Sequence, residues 1–115
     1  MAPWGPGIFE EKQALDIRDQ FEELFDKGMS VGRITEILAD KWAIDVDDEE
    51  DGTVFWIALA ATQLENEVLE EDVKERVLFI IDEEIDIDLF WYDSDKIDER
   101  RDELDELKEK LLFFE

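Results

Sequence analysis

Apolar positions recur at helical spacing over most of this chain. Between Glu10 and Lys27 they fall at Ala14, Ile17, Phe21, Leu24 and Phe25, steps of three and four that place them on one face. Acidic residues open that segment and Gly28 stands where a C-terminal cap belongs, so a first helix is predicted over 10–27. Ser30 suits the N-cap of a second helix reaching about Trp42, with Val31, Ile34, Ile37, Leu38 and Trp42 as its stripe. Thr53 is placed to cap a third, over 54–64, whose residues are apolar almost all round. Such a helix belongs in the middle of a fold. Its first residues are β-branched or aromatic and would also suit a strand, but its alanines and length favour helix. Asn66 marks a break, and a fourth helix follows from about Leu69 to Glu84 with Val73, Val77, Ile80 and Ile81 inward. Residues 86–93 alternate acid and apolar, then present Leu89-Phe90-Trp91-Tyr92, which predicts a connector with an aromatic knot or a short strand. Ser94 caps a last helix to about Phe113, its stripe formed by Ile97, Leu104, Leu107 and Leu111.

Two stretches break the periodicity. Residues 1–9 hold Pro3, Gly5, Pro6 and Gly7 around Trp4, a turn-rich lead-in expected to be pinned by Trp4, Ile8 and Phe9. Residues 45–51 are six acids in seven positions closed by Gly52, a self-repelling run that reads as an exposed loop. The pattern predicts an all-α fold. It is a compact bundle of about five helices around an apolar central helix, one domain over 1–115 with a Pro/Gly-rich lead-in.

Charge changes the picture next. The chain carries 36 Asp and Glu against 12 Lys and Arg, a net charge of −24. Disordered acidic chains are poor in aromatics, whereas this one is 44% hydrophobic with eight Phe and four Trp, so a folded core inside an acidic shell is expected. The acids spread over both halves rather than forming a tail. A uniformly negative surface repels phosphate backbones and anionic lipid, which argues against direct binding of nucleic acid or membrane. It favours basic protein surfaces and, weakly, divalent cations. No apolar run approaches the roughly 20 residues of a membrane helix, and the first residues lack the basic and apolar regions of a signal peptide. A cytoplasmic location is the expectation.

The opening Trp4-Gly5-x-Gly7-x-Phe9-Glu10, followed by Ala14-Leu15-Asp16-x-Arg18-Asp19, resembles an uncharacterised bacterial family of small acidic proteins that begin Trp-Gly-x-Gly-x-Phe-(Glu/Asp). The likeness continues through Val54-Phe55-Trp56-x-Ala58-Leu59-Ala60-x-Thr62-Gln63 and Glu71-x-Val73-Lys74-Glu75, and into the helix around Leu104 and Lys110. After Phe9-Glu10 this chain has Glu11-Lys12 where relatives carry an Asn or Asp pair. The resemblance implies a bacterial, cytoplasmic, helical protein and brings no activity with it. By analogy alone, compact acidic bacterial proteins of this kind suggest immunity or antitoxin roles.

Few routes to catalysis exist in this residue set. With no histidine and no cysteine, Ser-His-Asp and Cys-His arrangements, zinc sites of the N/S type, disulfides and thiolate chemistry are all absent. Neither common phosphate-cradling glycine motif occurs. Among 36 carboxylates some pairs fall close by chance, and acid–base work needs a cleft that drives two pKa values apart. Asp47-x-Glu49-x-Asp51-Gly52-x-Val54 matches the early places of a calcium-binding loop, but the twelfth, where a bidentate Glu should stand, is Ala58. No catalytic residue, metal ligand or cofactor is therefore expected, and the chain reads as a non-enzymatic binding protein.

Two acidic segments are the candidate docking surfaces: Asp45, Asp47, Asp48, Glu49, Glu50 and Asp51, and then Asp82, Glu83, Glu84, Asp86 and Asp88. Trp91 and Tyr92 are the candidate anchors, since such aromatics dominate binding hot spots and nearby acids steer association. The expected function is an inhibitor or immunity (antitoxin-like) protein neutralising a basic partner, such as a toxin or nucleic-acid-binding protein. The alternatives are a structural or adaptor domain whose acidity serves solubility, with apolar patches forming a homodimer, and a carboxylate-based, metal-dependent hydrolase.

Overall fold

The structure, a computed structural model, describes residues 7–10, 12–45, 47–48, 52–92 and 94–114. All regular structure in them is helical: α1 (Lys12–Asp26), α2 (Val31–Lys41), α3 (Thr53–Glu65), α4 (Glu71–Asp82) and α5 (Ile97–Phe113). A short 3-10 turn at Ile8–Glu10 precedes them and a π-type turn at Ile87–Trp91 separates α4 from α5. The segments 54–64 and 86–93, either of which suited a strand, contain none among their described residues. No helix among the described residues is long and apolar enough to cross a membrane.

The helix without a polar face sits in the middle. Every residue of α3 from Phe55 to Gln63 is buried, and α1 and α4 pack on either side of it. α2 lies on α1, and α5 lies on α4 and on the π turn. Phe55, Ile57, Leu59, Phe21, Ile34, Leu38 and Ile80 are essentially fully buried, each removing on the order of 1.5–3 kcal/mol worth of apolar surface from water. Ile8 and Phe9 pack against this core, and the Arg18 guanidinium lies 4.6 Å from the Phe9 ring centroid, which ties the lead-in to α1. Trp4, assigned the same role, lies outside the described residues.

Three helices end in one way. The residue after the C-cap turns left-handed and the next residue's N–H reaches back five positions: Met29 to Leu24, Ile44 to Ala39, Val68 to Gln63, at 3.2, 2.9 and 3.0 Å. The left-handed residue is Gly28 after α1, but Ala43 and Glu67 after the other two, with φ of 55° and 59°. Met29, Ile44 and Val68 pack against the core, so each cap is closed by an apolar contact. At Asn66 the predicted break is the C-cap of α3, where its amide donates to the Thr62 carbonyl at 2.9 Å.

Two predicted caps differ from what is found. Thr53 is the first helical residue of α3 and is buried, while Gly52 holds the cap position with φ of 71°. A Cβ on Gly52 would lie 2.8 Å from Ile44 Cδ1, so the loop closes over Ile44 at a point that only glycine fits. Ser94 does accept a hydrogen bond, from the Lys96 N–H at 3.1 Å, but α5 starts later, at Ile97. Ser30 holds the cap position of α2 with extended backbone and no capping hydrogen bond from its side chain.

Candidate functional site

The two acidic segments, far apart in sequence, meet. Ile44 and Gly52 form the base of the first loop, as the close approach at Gly52 shows. Inside it, Asp45 Oδ1 accepts the Asp47 N–H at 3.0 Å and the Asp45 carbonyl accepts the Asp48 N–H at 3.1 Å, folding the start of the acid run into a turn. The Asp48 carbonyl then takes a long contact, 3.4 Å, from Arg76 Nη1 of α4. Arg76 is itself held with its guanidinium 4.6 Å from the Trp56 ring centroid of α3. One arginine thus couples the loop to the central helix.

The second segment is shaped by the end of α4. Glu83 is its C-cap, Glu84 is left-handed with φ of 52°, and the chain re-enters a helical turn at Ile85. The π-type turn buries Ile87 and Trp91 and leaves Asp88, Leu89 and Tyr92 outside. Between the two segments runs an open groove of about 680 Å³. Asp45, Asp47 and Asp48 form one bank, Glu83 and Asp88 the other, and Phe79, Ile85 and Leu89 supply its apolar lining. Phe79 is 39% exposed and Leu89 57%, a large apolar presence for a surface otherwise so charged.

The remaining acids of 82–88 do different work. Asp82 accepts from Lys108 at 2.5 Å, and this hydrogen bond, with the charges of Asp82 and Asp105, raises the Lys108 ammonium above its ordinary pKa. Glu84 pairs with Arg101 at 2.8 Å, both about half exposed. Asp86 is fully buried and its Oδ2 accepts from Arg100 Nε at 2.9 Å. The Arg100 guanidinium lies 5.4 Å from the Trp91 ring centroid, and Trp91 too is fully buried. Asp86 and Trp91, expected at a docking surface, thus lie inside the molecule, and together with Arg100 they bind α5 to the turn that carries Asp88 and Leu89. Tyr92, 76% exposed, stays available. Glu49, Glu50 and Asp51 lie outside the described residues.

Sequence reasoning passed over three positions that build this region. Arg100 occupies a place in the apolar stripe of α5, three after Ile97 and four before Leu104, and a cation there signals a buried acid somewhere in the fold. Phe79 was hidden by a pattern in which its neighbours Ile80 and Ile81 point inward. Gln63 is fully buried: its amide donates to Glu70 Oε1 at 2.9 Å and its carbonyl accepts the Glu70 N–H at 2.9 Å, while Thr35 also donates to Glu70. That cluster sets where α4 begins relative to α2 and α3, and with it the wall of the groove.

Among the described residues no group of three or more acidic side chains is arranged to hold a metal ion, and Ala58, at the twelfth place of the calcium-loop pattern, is buried inside α3. No protein-family model, no curated protein and no solved structure matches this chain.

Proposed function

We propose that the chain is a non-enzymatic binding protein of the inhibitor or immunity kind, which occupies a basic site on a partner protein such as a toxin or a nucleic-acid-binding protein. One observation carries this reading: acids separated by more than thirty residues converge on one groove that Phe79, Ile85 and Leu89 also line. A charge of −24 spread for solubility alone gives no reason for Phe79 and Leu89 to stand exposed between carboxylates. An interface does, since the acids steer a basic partner in and the apolar side chains lose water when it arrives. Cytoplasmic action and a bacterial source belong to the same proposal and rest on composition and on the resemblance of the opening residues.

The hydrolase alternative asks for several inward carboxylates. Among the described residues Asp86 is the single buried one, and Arg100 neutralises it. The adaptor alternative expects association that ignores salt. A pull-down with the purified chain, washed at low and then at high salt, separates the readings. One basic protein retained at low salt and shed at high salt supports the inhibitor reading, because interactions of exposed charges are screened within about 8 Å at physiological ionic strength. Recovery of the bait alone, or of a partner indifferent to salt, refutes it.

A further inference from the structure

The groove has a direction and a length. Asp72, Glu75, Arg76 and Phe79 line a second hollow of about 380 Å³ farther along α4, and Phe79 belongs to both. Asp72, Glu75, Phe79 and Glu83 follow one another at spacings of three and four, so they share the outward face of α4. From Asp72 to Glu83 that face extends roughly 16 Å at 1.5 Å per residue, which is about three turns of a helix laid alongside. No other described element covers it: Asp72, Glu75, Phe79 and Glu83 are all exposed. The aspartates of the first loop flank it on one side, and Asp88 with Leu89 extends it past the end of α4.

We infer that this track receives an amphipathic helix of the partner protein, one whose docking face sets apolar residues among Lys and Arg. The inference rests on the binding role proposed above and specifies what the groove recognises. Phe79 and Leu89 mark where its apolar residues sit, and Asp72, Glu75 and Glu83 along α4 with the aspartates of the first loop set the basic ones, a helix docking into a groove. Charge excludes the other occupants. A second copy of this chain would bring its own acid-lined face against this one, and like charges placed together oppose association. An anionic lipid surface is repelled for the same reason.

The test titrates the full chain with two 18-residue peptides of identical Leu and Lys composition. One is ordered so that a helix segregates its leucines into a row, and the other is scrambled. The patterned peptide is expected to bind at least tenfold more tightly, shifting amide signals of α4 and of residues 85–92. Leu89→Ser, at an exposed position that leaves the fold intact, is expected to erase the advantage without changing affinity for the scrambled peptide. Equal binding of the two peptides overturns the inference while leaving a purely electrostatic binding role standing. Failure of both peptides, with a salt-sensitive basic protein captured in the pull-down, overturns it as well and leaves the proposed function intact. Failure of both with no such protein captured removes both readings. Concentration-dependent self-association that masks the α4 signals assigns the track to a second copy and likewise overturns it.

Discussion

Replacing Asp86 with Asn is expected to be the most damaging single conservative change in the molecule. Asp86 and Arg100 are 0% and 2% exposed at the side chain, 2.9 Å apart. Removing either member deprives the other, still buried, of this charge partner, which costs about 3–5 kcal/mol. A domain of this size holds only about 5–15 kcal/mol in total. At roughly 4 °C per kcal/mol for a domain near 100 residues, the melting temperature should fall by about 12–20 °C. Arg100→Met should do comparable harm. The double variant Asp86→Asn/Arg100→Met should be less damaged than the sum of the singles, because the charge that made each single costly is gone. Arg101→Ala is the internal control: its pair with Glu84 is about half exposed and should contribute less than about 1 kcal/mol. Urea unfolding followed by far-UV circular dichroism gives all four values. A loss under about 1 kcal/mol in Asp86→Asn, or strict additivity in the double variant, would refute the claim that this pair is buried and coupled.

Four further changes probe the scaffold around the groove. Gly52→Ala should destabilise by at least about 1–2 kcal/mol for its left-handed backbone alone, and more because the new Cβ meets Ile44 at 2.8 Å. Ala43→Gly, at a left-handed helix end, should instead stabilise by up to about 1 kcal/mol, and thermal melts of the pair check that the signs are opposite. Gln63→Leu leaves the Glu70 N–H and carboxylate without their buried amide and should cost about 1–3 kcal/mol, measured by urea unfolding. The Lys108 ammonium has a folded-state pKa raised by Asp82, so its contribution is complete below the unfolded value of about 10.4 and disappears as pH rises through the folded value. The stability difference between wild type and Lys108→Met should be flat from pH 7 to about 9.5 and vanish only in strong alkali.

Periodicity alone reached most of the fold. The stripes of α1, α2, α4 and α5 face inward as their spacing requires, and the all-apolar α3 is central because nothing else can cover a helix without a polar side. What periodicity missed depends on contacts between distant residues. The alternation of 86–93 reads as a connector or a short strand, whereas Ile87–Trp91 forms a helical turn in which Asp86 meets Arg100 on α5 and Trp91 turns inward. Thr53 has the chemistry of an N-cap, yet Ile44 packs where the loop returns and reserves that position for Gly52. For the site, acidity identified both banks, but sequence could not say which carboxylates meet a cation on α5. Asp82, Glu84 and Asp86 do, so of that segment Glu83 and Asp88 remain on the groove. The exposed Phe79 has no signature in a helix whose next two residues are buried isoleucines.

The central claim is that binding belongs to the placement of these acids and not to their number. Two triple reversals to Lys alter the net charge equally: Asp47, Asp48 and Glu83 on the groove, against Asp19, Asp26 and Asp102, exposed on α1 and α5. The measurement is the association rate of each variant with the basic protein recovered by the wild-type chain, as a function of salt. The groove triple is predicted to slow association by about tenfold or more at low salt and to flatten its salt dependence, while the other triple stays within about twofold of wild type. Equal slowing by both triples would contradict the account and reduce the acidic surface to overall charge.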